Sequence, residues 1–121
     1  MKIHGKREGK TSMKLYELVE DMNFEVVCGS LENEVSRGYT GDLLSEVMGN
    51  ASGNSIWVTV QSHPNIVAVA VLTGIKAIVL TNGREYDEET VEKAKKEGIV
   101  LLKSQENSFV VSGKLYEKGI R

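Results

Sequence analysis

The chain has 121 residues, a formal net charge of −2, and apolar and charged fractions of 40% and 26%, which predict one ordinary globular domain. The first twelve residues carry +3 and leave −5 for the rest, and this mildly acidic body argues against nucleic acid and anionic membranes as partners. A single cysteine excludes an internal disulfide and predicts a reducing, cytoplasmic setting, and no apolar run approaches the roughly 20 residues that span a bilayer.

The first segment, residues 1–12, is basic and lacks apolar periodicity. It contains GKREGKTS, which resembles a phosphate-binding P-loop. Only three residues separate Gly5 from Gly9, where that motif needs four, and no strand precedes them to hold the loop. We therefore predict a basic disordered tail at residues 1–12 and a single domain at residues 13–121.

The first half of this domain mixes helices and strands. An amphipathic helix, with Ser12 as its N-cap, is predicted where apolar residues recur at helical spacing: Leu15, Leu18, Val19 and Met22. Phe24–Cys28 is predicted as a strand, and a polar loop with a short strand near Val35–Tyr39 follows it. Asp42 is predicted to cap a short helix that carries Leu43, Leu44, Val47 and Met48.

The second half alternates strands with helices. Predicted strands are Ser55–Val60, Ile75–Leu80 and Ile99–Leu102. NIVAVAVLTG has the composition of a strand, but the proline before it and the glycine at its end favour a helix. Asp87 is predicted to cap the helix EETVEKAKKEG, whose early acids and late lysines suit the helix dipole.

A last helix is predicted within ENSFVVSGKLYEKG and ends at Gly119. Its Phe109, Gly113 and Tyr116 share one face, and we expect Gly113 to allow close packing of that face against the sheet. The whole pattern predicts an α/β three-layer sandwich with a mostly parallel sheet, because strands that alternate with helices make right-handed crossovers.

Three polar stretches follow the predicted strands: QSHPN, TNGRE and KSQEN. In a parallel sheet these turns meet at the carboxyl edge, where open α/β sheets bind ligands at the topological switch point. The candidate ligand-binding residues are Ser62, His63, Asn65, Thr81, Asn82, Gly83, Arg84 and Ser104.

A small anion is the ligand that this chemistry favours, because SHPN begins a helix and Arg84 can pair with a phosphate. The alternatives are that Ser62 or His63 merely caps the helix and that Arg84 is an ordinary surface arginine. Cys28 is interpreted as a buried structural thiol, since no motif gives it a base. One Cys and two His without paired spacing predict no metal site, and we expect no catalytic residues and no cofactor.

The stretch WVTVQSHPNIVAVAVLTGIKAIVLTNG, followed by TVEKAKKEGIVLLKSQENSFVVSGKLYEKGI, resembles the DRTGG domain over residues 13–121. That family accompanies CBS domains in regulatory pyrophosphatases and is related to the N-terminal domain of HPr kinase/phosphorylase, which carries no kinase chemistry. The resemblance implies an α/β regulatory or oligomerisation module. Thr81-Asn82-Gly83 stands where the family has Thr-Gly-Gly, and SHPN replaces its Asp-Arg pair, so no ligand role of that pair carries over.

The predicted function is therefore a non-catalytic regulatory module that forms homodimers, senses a small anion or nucleotide at the carboxyl edge and acts on a separate effector protein. One alternative is a scaffold for a partner protein, which a large apolar patch away from this edge would favour. The other is a small phosphoryl- or acyl-transfer enzyme, which a close pairing of His63 with a carboxylate would favour.

Overall fold

The computed structural model describes residues 12–121. The strands, β1 to β7 in chain order, are Met13–Lys14, Glu25–Cys28, Glu34–Val35, Arg37–Thr40, Ser55–Thr59, Ala77–Leu80 and Val100–Lys103. The helices, α1 to α5, are Leu15–Met22, Leu44–Asn50, Asn65–Thr73, Glu88–Glu97 and Ser108–Glu117. The predicted basic tail lies outside the described residues, except for Ser12.

Five strands form one sheet in the order β2-β7-β6-β5-β4. The pairings of β4 with β5, β5 with β6 and β6 with β7 are parallel, and only β2 is antiparallel to its neighbour β7. A separate two-stranded antiparallel sheet joins β1 and β3. Helices pack on both faces of the large sheet, which confirms the predicted three-layer α/β sandwich with a mostly parallel sheet.

The three central strands β5, β6 and β7 are buried along their whole length. Their side chains alternate between two cores, as successive residues of a strand must. Ile56 and Val79 pack towards α1 and α5, whereas Trp57 and Ile78 pack towards α2, α3 and α4. Burial on both faces explains why the sequence of these strands is almost continuously apolar.

The path of the chain determines on which face of the sheet each helix packs. Helices α2, α3 and α4 make the successive crossovers from β4 to β7, and all three pack into the core on one face. After β7 the chain turns to the opposite face, where α5 packs with α1. The turns that follow β6 and β7 thus leave one edge for opposite faces, which is the arrangement at which open α/β sheets bind ligands.

Two predicted helix caps are wrong. The Ser12 hydroxyl donates to the Glu34 carboxylate at 2.9 Å, and the N-cap position of α1 is held by Lys14. Asp42 does not cap α2, because its Oδ1 accepts from the Thr59 hydroxyl at 2.8 Å and from the backbone N–H that follows at 2.9 Å. The carboxylate thus forms two bonds at the end of β5, which compete with the single bond of a cap.

The predicted inward face of the last helix is also wrong. Phe109 is 87% exposed and Tyr116 59% exposed, whereas Val111 and Leu115 enter the core. A Cβ built on Gly113 would have no heavy atom within 4 Å, so this glycine does not allow close packing. The apolar residues of this helix fit two helical faces, and only the register of the helix on the sheet selects one of them.

Candidate functional site

Three turns leave the sheet where β5, β6 and β7 end, and we call them the first turn (residues 61–65), the second turn (residues 81–85) and the third turn (residues 103–107). Because these strands are parallel, the turns lie at one edge, the carboxyl edge. The N–H of Asn82 donates to the Glu106 carbonyl at 2.9 Å, and the N–H of Gly83 donates to the Ser104 carbonyl at 3.0 Å. The second and third turns are therefore directly joined.

The first turn is tied to the start of α4. The carbonyl of Ser62 accepts from the Thr90 hydroxyl at 2.6 Å and from the N–H of Asp87 at 3.3 Å. Since the second turn leads into α4 three residues later, all three turns belong to one connected surface. The eight residues predicted from sequence are thus brought to this surface, although they differ in how far they reach the solvent.

The second turn has the conformation that its sequence indicates. Asn82 and Gly83 have φ of 62° and 65°, and the N–H of Arg84 donates to the Thr81 carbonyl at 3.3 Å. Two central residues with positive φ are typical of a type I′ turn, for which Asn-Gly is the preferred pair. A Cβ on Gly83 would lie 2.6 Å from Oε1 of Gln105, but this exposed side chain can move aside, so the positive φ is what favours glycine here.

The backbone N–H groups at this edge are largely engaged within the protein. Those of Asn82 and Gly83 bind the third turn, and that of Asn65 donates to Nδ1 of His63 at 3.3 Å. His63 therefore supports the start of α3, as the alternative from the sequence proposed. Because these N–H groups bind within and between the turns, the side chains are the groups best placed to reach a ligand.

The side chains divide the eight candidates into three groups. Thr81 and Ser104 are buried, and their hydroxyls bind Ser108 and the backbone of the third turn. Ser62 and Gly83 are half-buried. Exposed side chains that can reach a ligand are His63, Asn65, Asn82 and Arg84. Of these, Arg84 carries a permanent positive charge, and its guanidinium forms no salt bridge with any carboxylate of residues 12–121.

Lys103 is a residue that sequence reasoning missed. It is only 7% exposed, and its Nζ lies 2.7 Å from the Glu85 carboxylate and 3.7 Å from that of Glu25. The hydrogen bond that Lys103 donates to the Glu85 carboxylate raises the pKa of Lys103 above its ordinary value. The sequence does indicate an unusual lysine here, because Lys103 ends the strand VLLK, in which all other residues are apolar. A cavity of about 280 Å³ opens beside it.

Hydroxyl pairs lie between the sheet and α5. Thr81 and Ser108 place their hydroxyl oxygens 2.8 Å apart, and Thr40 and Ser112 place theirs 2.6 Å apart. No buried side-chain nitrogen or oxygen of the described residues lacks a hydrogen-bond partner. The carboxyl edge is therefore a satisfied polar surface on which Arg84 and Lys103 supply positive charge.

Comparison with known proteins decides the family. The sequence profile of the DRTGG domain matches residues 17–117, which is most of the chain. The chain belongs to the DRTGG domain family. Asn82, which replaces a glycine of the family motif, keeps the turn because asparagine tolerates positive φ better than most other residues.

A solved structure has a similar fold to this DRTGG domain. It is the CBS and DRTGG regulatory region of a Clostridium perfringens pyrophosphatase, complexed with its activator, diadenosine tetraphosphate. The TM-score is 0.64 at 16% sequence identity, and the match covers 83% of this chain but 44% of that one. At this identity the likeness concerns the fold. No curated protein matches the sequence.

The reactive side chains of this DRTGG domain are the next feature of the site. Cys28 is buried, and burial raises the pKa of its thiol, which disfavours the nucleophilic thiolate. Within residues 12–121, no three His, Cys, Asp or Glu side chains are grouped as a metal site requires. None of the helices in the described part of the chain combines the length and apolar character needed to cross a membrane.

Proposed function

We propose that this DRTGG domain is a non-catalytic regulatory module that binds a small phosphate-containing ligand, with a nucleotide as the best candidate, at the carboxyl edge. Binding there would change how a separate effector protein is regulated, and we propose that the module works as a homodimer. The single observation that carries the proposal is the exposed Arg84, which forms no salt bridge with the described residues, at the edge where three turns join.

The geometry around Lys103 supports an exchangeable anion site. Glu85 contacts Lys103 at 2.7 Å and directly follows Arg84 in the chain, and we propose that both cations reach an anion that replaces this carboxylate. The side chain of Glu85 is 79% exposed, so a competing anion can reach this ion pair from the solvent although Lys103 itself is buried. A phosphate that replaces this carboxylate would form charge-assisted hydrogen bonds in its place.

The similarity to the pyrophosphatase regulatory region supports a nucleotide as the ligand class. That protein is complexed with a dinucleotide activator, and its regulatory region contains a DRTGG domain together with CBS domains. The hydroxyls and amides at the carboxyl edge, among them Asn82 and Asn65, are suited to hydrogen bonds with a ribose or base. We therefore rank nucleotides above inorganic phosphate for this chain.

A role without catalysis is supported by the state of the two groups best suited to nucleophilic or acid–base chemistry. Cys28 is buried in the core, and Nδ1 of His63 accepts a backbone hydrogen bond. The buried single thiol and the acidic body also support action in the cytoplasm, away from nucleic acid and membranes. We expect no release of phosphate from ATP or acetyl phosphate in an assay with purified protein.

The experiment is isothermal titration calorimetry with phosphate, ADP, ATP and diadenosine tetraphosphate. Arg84→Ala should weaken binding by about tenfold or more, because one charge-assisted hydrogen bond contributes about 1.5–3 kcal/mol. Glu85→Gln should strengthen binding several-fold, because it removes the carboxylate that competes for Lys103. Arg37→Ala is the matched control, since Arg37 is exposed at the start of β4 on the opposite edge of the sheet.

Two results would contradict this site. One is the absence of heat with every phosphorylated ligand, which would leave a scaffold role as the better explanation. The other is an equal loss of affinity in Arg84→Ala and Arg37→Ala, which would indicate general attraction of anions to the surface and no site at the carboxyl edge.

A further inference from the structure

Helix α3 has an unusual composition for a helix at the surface. Its sequence, NIVAVAVLT, has no charged residue and is apolar on almost every side. Ile66, Val69 and Ala70 enter the core, but Val71 is 45% exposed and Leu72 is 72% exposed. A helix that is apolar all round is normally buried on all sides, so the described chain leaves the outer face of α3 uncovered.

This outer face forms part of a groove with α4. The groove has a volume of about 530 Å³ and is lined on the α3 side by Val67, Ala68, Val71 and Leu72. Its other wall is formed by α4 through Lys93, Lys96 and Glu97. The neighbouring helix α2, in the same layer, adds Met48, which is 48% exposed. An apolar strip with a charged margin thus lies away from the carboxyl edge.

The charged side chains of α4 are arranged so that they could pair with those of a second, antiparallel α4. Glu89, Glu92, Lys93 and Lys96 recur at spacings of three and four residues, so they form one exposed stripe. Within these four residues the acids lie towards the amino terminus of α4 and the lysines towards its carboxyl terminus, where Glu97 adds one acid to the groove wall. A second stripe of the same kind that runs in the opposite direction would place acids beside lysines at both ends.

We propose that a second copy of this chain covers the outer face of α3, with the α3 helices antiparallel across a two-fold axis. In such an isologous interface Leu72 of each copy enters the apolar strip of the other, and Glu89 and Glu92 of one α4 lie beside Lys93 and Lys96 of the other. The inference rests on the homodimer in the proposed function and identifies the surface through which the two copies bind. The carboxyl edge stays open to ligand in this arrangement.

The first test uses sedimentation velocity on the full chain across a concentration series. Leu72→Asp should weaken dimerisation by about 100-fold, because a charge would be buried at the centre of the interface. Phe109→Asp is the matched control, since Phe109 is 87% exposed on α5 at the other face of the sheet and should leave the dimer intact. Both side chains are exposed in a single copy, so circular dichroism should find both variants folded.

The second test exchanges the charges of the stripe. The variant Glu89→Lys/Glu92→Lys carries only lysines there, and Lys93→Glu/Lys96→Glu carries only acids. Each alone should be a monomer at concentrations where the unmodified chain is a dimer, and an equimolar mixture should recover the dimer as a heterodimer. Recovery on mixing requires the two stripes to face each other. Dimerisation of the unmodified chain then supports the antiparallel direction, because parallel stripes would place like charges together.

The possible results distinguish failure of the α3 interface from failure of the proposed homodimer. An unmodified chain that stays monomeric at about 100 μM, well above the Kd of most specific complexes, would overturn both the surface and the homodimer. A dimer that tolerates Leu72→Asp, or charge-exchanged variants that fail to pair on mixing, would overturn the α3 surface and leave the homodimer standing. Calorimetry of ligand binding tests the carboxyl edge independently of all these results.

Discussion

At the scale of single residues, Tyr86 has a buried hydroxyl group that keeps a hydrogen-bond partner. Its side chain follows the second turn into the core, and its hydroxyl donates to the Leu102 carbonyl at 2.7 Å. Burial raises the pKa of this hydroxyl well above its ordinary value, so the phenol stays protonated and donates throughout the neutral range. The residue therefore anchors the segment between the second turn and α4 beneath the sheet.

Removal of this hydroxyl should destabilise the protein. Tyr86→Phe should lower the free energy of unfolding by about 1 kcal/mol, the net contribution of one buried hydrogen bond. Urea denaturation followed by fluorescence measures the difference. Tyr16→Phe is the control, because Tyr16 is 46% exposed and its hydroxyl forms no hydrogen bond with the described residues. Equal stability of both variants would mean that the Tyr86 hydrogen bond contributes nothing.

At the scale of elements, glycine has two different positions in the helices of this protein: after the last residue of a helix and within a helix. Gly98 ends α4 with φ of 75°, in a position where an added Cβ would meet no atom within 4 Å. Gly113 lies in the middle of α5, where an added Cβ would be equally free of contacts. The two sites therefore differ in backbone conformation and not in packing.

The same substitution should have opposite effects at these two positions. Gly98→Ala should destabilise the protein by about 1–2 kcal/mol, since an L-residue pays that cost in the left-handed region. Gly113→Ala should stabilise it by about 0.5–1 kcal/mol, because alanine loses less backbone entropy in a helix. Thermal unfolding monitored by circular dichroism measures both. A loss of stability in Gly113→Ala would indicate that α5 packs more closely than the structure shows.

At the scale of the whole molecule, the two cores share one sheet. Neighbouring residues of β5, such as Ile56 and Trp57, enter opposite cores, so neither core can lose its sheet while the other stays intact. Trp57 is fully buried, and its indole N–H donates to the Gly41 carbonyl at 2.8 Å. It is the only tryptophan of the chain and reports on the core beneath α2, α3 and α4.

Unfolding should therefore be a single transition. At one fixed protein concentration, the urea midpoint from Trp57 fluorescence should coincide with that from far-ultraviolet circular dichroism, which reports on helices of both layers. The fluorescence maximum should shift to longer wavelength as the indole becomes exposed. Two separated midpoints would mean that α1 and α5 unfold independently of the remaining helices.

The sequence by itself determined the alternation of strands and helices and the edge at which the three polar turns meet. These features depend on local chemistry. Continuous apolar runs predict strands buried on both faces, and Asn82-Gly83 prefers a tight turn wherever it stands. Pro64 and Gly74 correctly bounded α3, although its composition also suits a strand, because they restrict the backbone at the two ends of a helix.

Only the tertiary structure decided which side chains are free to act. Asp42 accepts a hydrogen bond from Thr59 and does not cap α2. Lys103 forms ion pairs with Glu25 and Glu85. In both cases the fold brings together groups that are distant in sequence. In α5, Phe109 faces solvent since the register of the helix on the sheet selects another face. Local preferences contribute about 1 kcal/mol or less per residue, whereas burying a large apolar side chain contributes about 1.5–3 kcal/mol, so packing overrules them where the two conflict.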